Sequence, residues 1–332
     1  MPPPPPTHTP PMQTPPAPLQ GRSLLTIADL TPHELAQILD TALAQKADPT
    51  GDHRRALDGK SVVLVFEKPS LRTRVSFEIA ARRLGATSLY LSPGEVGLGT
   101  REPVKDVARV LSRYADAIVC RTFGQDILDE LQRYASVPVV NALSDWEHPC
   151  QTLADLLTIR EHGGTTGRTL AWIGDGNNVI RSLAMGAATE GMHVRIATPP
   201  DYALDEASLA RVRERADASG GSVLATTDPV AAVSGHDLSA QPLPPADIVY
   251  TDVWTSMGQE AESQARVEAF AGFQITTDLL AAAPNAMLMH DLPAHRGEEI
   301  TDDAFESPNA IIFDQAENRL HAQQALLWHL VR

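Results

Sequence analysis

The feature that most constrains the fold is an apolar run, Val62 to Phe66, that leads into a polar turn with two arginines. An unbroken run of this kind is typical of a strand buried on both faces, as in a parallel sheet. The turn carries Ser70, Arg72, Thr73 and Arg74 and precedes a segment with helical spacing. Free N–H groups of the first helical turn and two guanidinium groups predict an anion site, most simply for phosphate. A solvated strand-to-helix connection is the alternative.

Composition narrows the classes of protein that this chain can belong to. A length of 332 residues and a hydrophobic content of 43% predict two domains. The formal net charge of −15 argues against a nucleic-acid-binding protein, because backbone phosphates would be repelled. The two cysteines, Cys120 and Cys150, give no disulfide framework and predict a cytoplasmic location. No apolar stretch reaches the ~20 residues that a membrane span needs.

Strands and helices alternate through the first half of the chain. Phe77 and Leu84 mark one face of a helix after the opening turn, and apolar runs at residues 117–120 and 137–140 are predicted strands. Arg121 follows the first of these runs directly. Repeated βαβ units of this spacing predict an α/β domain with a parallel sheet.

A second polar helix start follows at His148-Pro149-Cys150-Gln151. Proline favours the first position of a helix, which places His148 at the N-cap and Gln151 in the first turn. Their side chains would then converge beside free backbone N–H groups. The alternative is that His148 only caps the helix.

The glycine-containing segment after the next predicted strand, residues 170–173, does not predict a dinucleotide site. Gly174 and Gly176 are present, but Val179 stands where the third glycine of the fingerprint is expected. No acidic residue ends the following strand, residues 194–197. A nicotinamide cofactor is therefore not expected.

Two further predicted strands also end in polar residues. Residues 248–251 lead to Asp252, and residues 287–289 lead to His290 and Asp291. In open parallel sheets, ligands bind beyond the carboxyl ends of the strands. The two halves are therefore expected to face each other across one cleft.

The motifs described above, and their order along the chain, closely resemble those of the aspartate and ornithine carbamoyltransferase family. The resemblance is carried by residues 70–74, Arg121, residues 148–151, residues 252–258 and residues 290–293. The segment Asp252-Val253-Trp254-Thr255-Ser256-Met257-Gly258 is similar to the ornithine branch. The resemblance implies two α/β domains, each a mainly parallel sheet flanked by helices, with the C-terminal helix returning to the first domain. It also implies a homotrimer or a multiple of trimers.

Four regions are expected on this basis. Residues 1–22 are rich in proline and predict a mobile tail that catalysis does not need. Residues 23–150 would bind carbamoyl phosphate and residues 151–310 ornithine, while residues 311–332 would form the returning helix. A segment rich in glycine and threonine, residues 162–168, lies near the boundary.

The resemblance also implies the site residues. Carbamoyl phosphate contacts fall on Ser70, Leu71, Arg72, Thr73, Arg74, Arg121, His148 and Gln151. Ornithine contacts fall on Asn178, Asp252, Ser256, Met257, Asp291, Leu292 and Arg319. The implied reaction is attack of the neutral δ-amine of ornithine on the carbamoyl carbon, with no metal or organic cofactor. Arg121, His148 and Thr73 would stabilise the oxyanion, where fixed donors contribute most.

This chain departs from the family pattern at three positions. Asp291 stands where relatives usually have cysteine, Leu71 replaces a threonine, and Gly97 replaces a glutamine that reaches a neighbouring subunit. Asp291 is expected either to relay the proton of the δ-ammonium or only to bind that cation. Leu71 is expected to contribute its backbone N–H.

Two other functions stay open at the level of sequence. A sister carbamoyltransferase would act on acetylornithine, putrescine or aspartate. A non-catalytic metabolite-binding relative would lack some of Arg72, Arg121 and His148, all of which are present.

Overall fold

The computed structural model describes residues 19–239, 242–256, 258 and 260–332. Most of the proline-rich tail predicted over residues 1–22 therefore lies outside the described residues. Its last four residues are part of the fold, because Leu19 is buried and the Gly21 N–H donates to the Leu330 carbonyl at 2.9 Å.

The first sheet contains four parallel strands in the order β2-β1-β3-β4. They are β1 (Ser61–Phe66), β2 (Thr87–Leu91), β3 (Ala117–Arg121) and β4 (Val139–Leu143). Every residue of β3, and every residue of β1 after Ser61, is buried. Helices cover both faces of this sheet, which explains why the apolar runs are unbroken.

Six helices accompany the first sheet. They are α1 (Pro32–Ala47), α2 (Leu71–Arg83), α3 (Pro93–Val96), α4 (Val104–Leu111), α5 (Gln125–Tyr134) and α6 (Pro149–Glu161). Helix α1 begins with a reciprocal cap, in which the Thr31 side chain accepts from the Glu34 N–H and the Glu34 carboxylate accepts from the Thr31 N–H. This reciprocal cap satisfies two of the free donors at the helix start.

The second sheet contains five parallel strands in the order β7-β6-β5-β8-β9. They are β5 (Thr169–Ile173), β6 (His193–Ala197), β7 (Ser222–Thr226), β8 (Ile248–Thr251) and β9 (Met287–His290). The helices that follow α6 in the chain are α7 (Asn178–Thr189), α8 (Glu206–Ser219), α9 (Pro229–Ser234), α10 (Ser263–Ala269), α11 (Thr277–Leu280), α12 (Asp302–Phe305) and the C-terminal helix α13 (Ile312–Val331).

The last helix, α13, packs against α1, α2 and α6 of the first half. Its buried residues Ala325, Leu326 and Leu330 belong to the same apolar core as Leu64 of β1 and Trp172 of β5. The predicted fold class is confirmed: two mainly parallel sheets are flanked by helices, and the C-terminal helix returns to the first domain. Among the described residues, no helix combines the length and apolar character needed to cross a membrane.

Candidate active site

The opening turn joins β1 to the N-terminus of α2, as its sequence predicts. Ser70 is the N-cap residue, and its hydroxyl oxygen accepts from the Thr73 N–H at 3.3 Å. The Ser70 hydroxyl also lies 3.1 Å from Thr73 Oγ1. Thr73 is buried, whereas Leu71 is 75% exposed and has an apolar side chain that cannot form hydrogen bonds. Two hydroxyls and the free N–H groups of the first turn therefore point to one place.

The two arginines of the turn differ in their surroundings. Arg74 donates from Nε to Glu78 Oε1 at 2.9 Å, and its guanidinium lies 3.9 Å from the centre of the Tyr90 ring. Arg72 is half-buried, and its charge helps to lower the pKa of Arg121. Arg72 is therefore the member of the pair whose charge reaches the neighbouring strand end.

Arg121 is the last residue of β3 and is 9% exposed. Burial, followed by the positive charge of Arg319, lowers the pKa of Arg121 to about 10. Its Nε–H has no hydrogen-bond partner among the described residues. A buried guanidinium with an unused donor and like-charged neighbours favours an anionic ligand.

His148 occupies the N-cap position of α6, but its side chain does not cap the helix. Its backbone N–H donates to Ser182 Oγ at 2.8 Å, and its Nδ1 has no partner within the described part of the chain. Burial and the charges of Arg319 and Arg121 lower the pKa of His148 well below the usual range. The imidazole is therefore neutral and can donate one hydrogen bond to a ligand oxygen.

Arg319 of α13 lies between α2 and α6. It donates from Nη1 to Gln151 Oε1 at 2.6 Å and from Nη2 to Thr73 Oγ1 at 3.0 Å. Burial lowers the pKa of this guanidinium, which is 4% exposed. Arg319, which the sequence assigned to ornithine, thus contacts two residues assigned to carbamoyl phosphate.

Asp252 and Asp291 follow the ends of the neighbouring strands β8 and β9, which pair Thr251 with His290. Asp252 accepts from Asn177 Nδ2 and from the Val253 N–H, each at 2.7 Å. Burial, and then the nearby carboxylate of Asp252, raise the pKa of Asp291 well above the usual range. Oδ1 of Asp291 is buried without a hydrogen-bond partner among the described residues.

The other residues assigned to ornithine lie around these carboxyl groups. Asn178 begins α7 and donates from Nδ2 to the Ser144 carbonyl at 2.6 Å. Leu292 has a positive φ of 63° and precedes a cis peptide bond to Pro293, and its N–H donates to His290 Nδ1 at 2.9 Å. Met257 lies outside the described residues.

A cavity of about 910 Å³ opens between the two sheets. Of the residues assigned from the sequence, those that line it are Arg121, Asn178, Asp252, Ser256, Asp291 and Leu292. Residues 70–74, His148, Gln151 and Arg319 do not line this cavity, although Arg319 contacts both Thr73 and Gln151. The cavity volume is that of a small-molecule site.

The structure adds site residues that the sequence reasoning missed. Lys68 lines the cavity, forms an ion pair with Asp145 and lies 4.2 Å from the centre of the Phe123 ring. Asp175 and Arg266 form a buried pair at 2.8 Å on the cavity wall. Lys68 lies two residues before Ser70, and this position next to the opening turn could have indicated it. Nothing in the sequence links Asp175 with Arg266.

The site therefore combines cationic groups from the first half with carboxyl groups from the second. Arg121 stands at a strand end of the first sheet, and Asp252 and Asp291 follow strand ends of the second. Fold and site together define a two-domain α/β protein that can bind an anion and a cation side by side.

Comparison with known families gives the assignment. Residues 22–161 match the carbamoyl-P binding domain, and residues 166–330 the Asp/Orn binding domain, of aspartate/ornithine carbamoyltransferase. The chain belongs to the aspartate/ornithine carbamoyltransferase family, which confirms the resemblance.

Similar relatives share about half of their residues with this chain. An ornithine carbamoyltransferase of Acidothermus cellulolyticus is 53% identical over 93% of this chain and 96% of its own length. One from Pyrococcus abyssi is 48% identical over 93% of this chain and 95% of its own length. The solved ornithine carbamoyltransferase of Pyrococcus furiosus is 46% identical with a TM-score of 0.89, covering 95% of this chain and 98% of that one.

Proposed function

We propose that this chain transfers the carbamoyl group of carbamoyl phosphate to the δ-amine of L-ornithine, giving L-citrulline and phosphate. The observation that carries this proposal is the meeting of Arg121 with Asp252 and Asp291 in one cavity of about 910 Å³. Carbamoyl phosphate needs cationic donors, and ornithine needs carboxylates for its ammonium groups. The names of the similar relatives support the same reaction.

The anionic substrate would lie at the helix start of α2. There the hydroxyls of Ser70 and Thr73 and the guanidinium of Arg72 would hold the departing phosphate. Arg121 and neutral His148 have unpartnered buried nitrogens within the described part of the chain, and these would donate to the carbonyl oxygen as it gains charge. Donors already fixed in place need no rearrangement during the reaction.

The amine must lose a proton before it attacks. Its reference pKa of about 10.4 implies a cost of roughly 4 to 5 kcal/mol near pH 7. Because the pKa of Asp291 is raised, it lies closer to the pKa of the δ-ammonium group than an ordinary aspartate pKa does. The ionised Asp291 carboxylate can therefore take the δ-ammonium proton. The amine then attacks the carbamoyl carbon, the C–O bond to phosphate breaks, and the proton of the attacking nitrogen leaves with phosphate.

The assembly and location are part of the same proposal. A homotrimer or a multiple of trimers is supported by the family resemblance and by large apolar side chains on the surface of the first half, among them Tyr114 at 75% and Leu89 at 58% exposure. Cys120 and Cys150 are both free and buried, which suits a reducing cytoplasm. Light scattering of the purified chain would measure the number of subunits.

The decisive experiment is a citrulline assay with carbamoyl phosphate and a panel of amines. Ornithine-dependent product is expected, with little product from acetylornithine, putrescine or aspartate. Product from another amine alone would establish a sister transferase. No product with any of them, together with measurable binding of carbamoyl phosphate, would establish a non-catalytic binding protein.

A further inference from the structure

Asp155 is a buried acidic residue that none of the steps above uses. It lies on α6 one helical turn after Gln151 and is fully buried. Its Oδ1 accepts from Gln151 Nε2 at 2.8 Å and from Gln315 Nε2 at 2.7 Å. The Tyr250 hydroxyl donates to the same carboxylate, 3.2 Å from Oδ2. Three donors from α6, α13 and β8 thus meet on one carboxylate.

On one side, Asp155 fixes the orientation of the Gln151 amide. A carboxylate only accepts hydrogen bonds and a guanidinium only donates them. The NH₂ group of Gln151 must therefore face Asp155, and its carbonyl oxygen must face Arg319, which donates to it at 2.6 Å. Arg319 in turn donates to Thr73 Oγ1 in the opening turn. A continuous hydrogen-bond chain leads from Asp155 to the anion side of the site.

On the other side, Asp155 is connected to the carboxyl groups. Gln315, which donates to Asp155, accepts from the His290 N–H at 2.9 Å through its own Oε1. His290 directly precedes Asp291. Tyr250, whose hydroxyl also donates to Asp155, lies on β8 two residues before Asp252. The same carboxylate therefore reaches the ends of both strands that deliver the cation side of the site.

The charge of Asp155 also has a partner in this arrangement. The negative charges of Asp291 and Asp155 both raise the pKa of buried Arg319, opposing the effect of its burial. Burial raises the pKa of Asp155 to about 7, against three hydrogen bonds and the charge of Arg319 that lower it. Removing the carboxylate would leave Arg319 with one fewer counter-charge and the Gln151 amide without a fixed acceptor.

We propose that Asp155 is a positioning residue for both substrate sites, holding the Gln151 amide on the anion side and, through Gln315, the backbone of His290 beside Asp291 on the cation side. This inference rests on the proposed function for its substrates. Asp155 would fix the position of the anion side relative to the cation side, because the chain of hydrogen bonds runs from α2 to β9 without interruption.

The first test is Asp155→Asn in the full chain. The new amide removes the negative charge beside Arg319 and replaces one carboxylate oxygen with an NH₂ group, so the side chain can no longer accept from all three donors. We expect kcat/KM for carbamoyl phosphate to fall on the order of 100-fold, as expected when a catalytic group is displaced by about 1 Å. Thr158→Val is the matched control, because it removes a 2.9 Å hydrogen bond between the same two helices, from Asn318 of α13. It should lower the melting temperature and leave kcat/KM nearly unchanged.

A double-variant cycle separates positioning from general loss of stability. If Asp155 acts through Gln151, adding Asp155→Asn to Gln151→Ala should change kcat/KM for carbamoyl phosphate by no more than about twofold. Gln315→Met tests the other side and should raise the KM for ornithine more than the KM for carbamoyl phosphate. It also serves as the deciding variant if Asp155→Asn does not fold.

The outcomes are distinguishable from failure of the proposed function. If the wild-type chain forms no citrulline, the proposed function fails before any variant is measured. If the wild-type chain is active and Asp155→Asn keeps its kcat/KM, or if the two substitutions in the cycle combine additively, the positioning role is wrong. An unaltered ornithine KM in Gln315→Met overturns the link to the cation side.

Discussion

One side-chain oxygen of Asp252 lies within 4.8 Å of one side-chain oxygen of Asp291, although the two residues follow different strands of the second sheet. Asp252 accepts hydrogen bonds from Asn177 Nδ2 and from the Val253 N–H, which fix the position of its carboxyl group. Asp291 is buried beside that charge, and its pKa is raised well above the usual range. The pair therefore offers one carboxyl group held in place by two hydrogen bonds and one, Asp291, whose affinity for a proton is increased.

Asp291→Cys is expected to raise the KM for ornithine about tenfold or more, because a charge-assisted contact to the substrate ammonium is lost. The pH dependence of kcat, which reports groups of the enzyme–substrate complex, then separates the two roles of Asp291. If Asp291 relays the proton, its loss moves the acid limb to higher pH. If it only fixes the cation, the limb moves to lower pH, because the bound amine loses the charge that favours protonation.

The control for this variant is Asp278→Asn on α11, an exposed acidic residue of the same half. It should leave both the KM and the pH profile as they are. An Asp291→Cys variant that matches wild type in ornithine KM and in pH profile would contradict both roles.

Arg72→Ala and Leu71→Thr are predicted to differ sharply although they are neighbours. Arg72 supplies charge to the anion side, so its loss should reduce kcat/KM on the order of 100- to 1000-fold. Leu71 is 75% exposed, and its replacement should change carbamoyl phosphate affinity and stability only slightly. Steady-state kinetics and calorimetric titration with carbamoyl phosphate measure both. Substantial activity in Arg72→Ala would count against the assignment of the opening turn.

Arg319→Lys tests which substrate this guanidinium serves. A lysine keeps the charge but cannot bridge Gln151 and Thr73 with a planar fork of donors. We expect the KM for carbamoyl phosphate to rise about tenfold, while the KM for ornithine at saturating carbamoyl phosphate changes by less than about twofold. A larger effect on ornithine than on carbamoyl phosphate would instead support the assignment made from sequence.

Glu147 should make the stability of the unliganded protein fall as the pH rises. It is buried and accepts from the Ile27 N–H at 2.9 Å, and burial raises its pKa from 4.5 to about 7. The folded state therefore binds more protons than the unfolded state between these values, so stability is lost as the pH rises through that window. A shift of this size corresponds to about 3 kcal/mol.

Glu147→Gln should remove that loss, so the free energy of unfolding of the variant relative to wild type should rise by about 3 kcal/mol between pH 4 and pH 8. Urea denaturation at several pH values measures the difference. Glu214→Gln, at an exposed position of α8, is the control and should show a constant difference. A constant difference for Glu147→Gln as well would show that its carboxyl group has the same pKa in both states.

The sequence predicted the strand ends well, because each buried strand is a short apolar run that stops at a polar residue. Arg121 and Asp252 could be placed at the cleft on this ground alone, since parallel strands present their carboxyl ends together. The position of His148 at the start of α6 could also be predicted from local residues, because Pro149 follows it. These features depend on neighbours within a few positions of the chain.

The contacts of long side chains were beyond such reasoning. Arg319 reaches Thr73 across 246 positions of the chain, and only the packing of α13 on α2 and α6 brings them together. Arg74 turns towards Glu78 and Tyr90, which depends on the helix surface and on the neighbouring strand β2. The contact between Asp155 and Gln151 could be predicted from their spacing of one helical turn. The contact between Asp155 and Gln315 could not, because the two residues lie on different helices.

The packing of α13 on the first half has a consequence for how the protein is made. A domain usually folds as soon as its residues leave the ribosome. Here the apolar faces of α1, α2 and α6 that α13 covers remain uncovered until residues 312–331 have been synthesised. The first half therefore cannot bury these apolar faces until the second half has been translated. During that interval the exposed faces can bind chaperones or associate with other nascent chains.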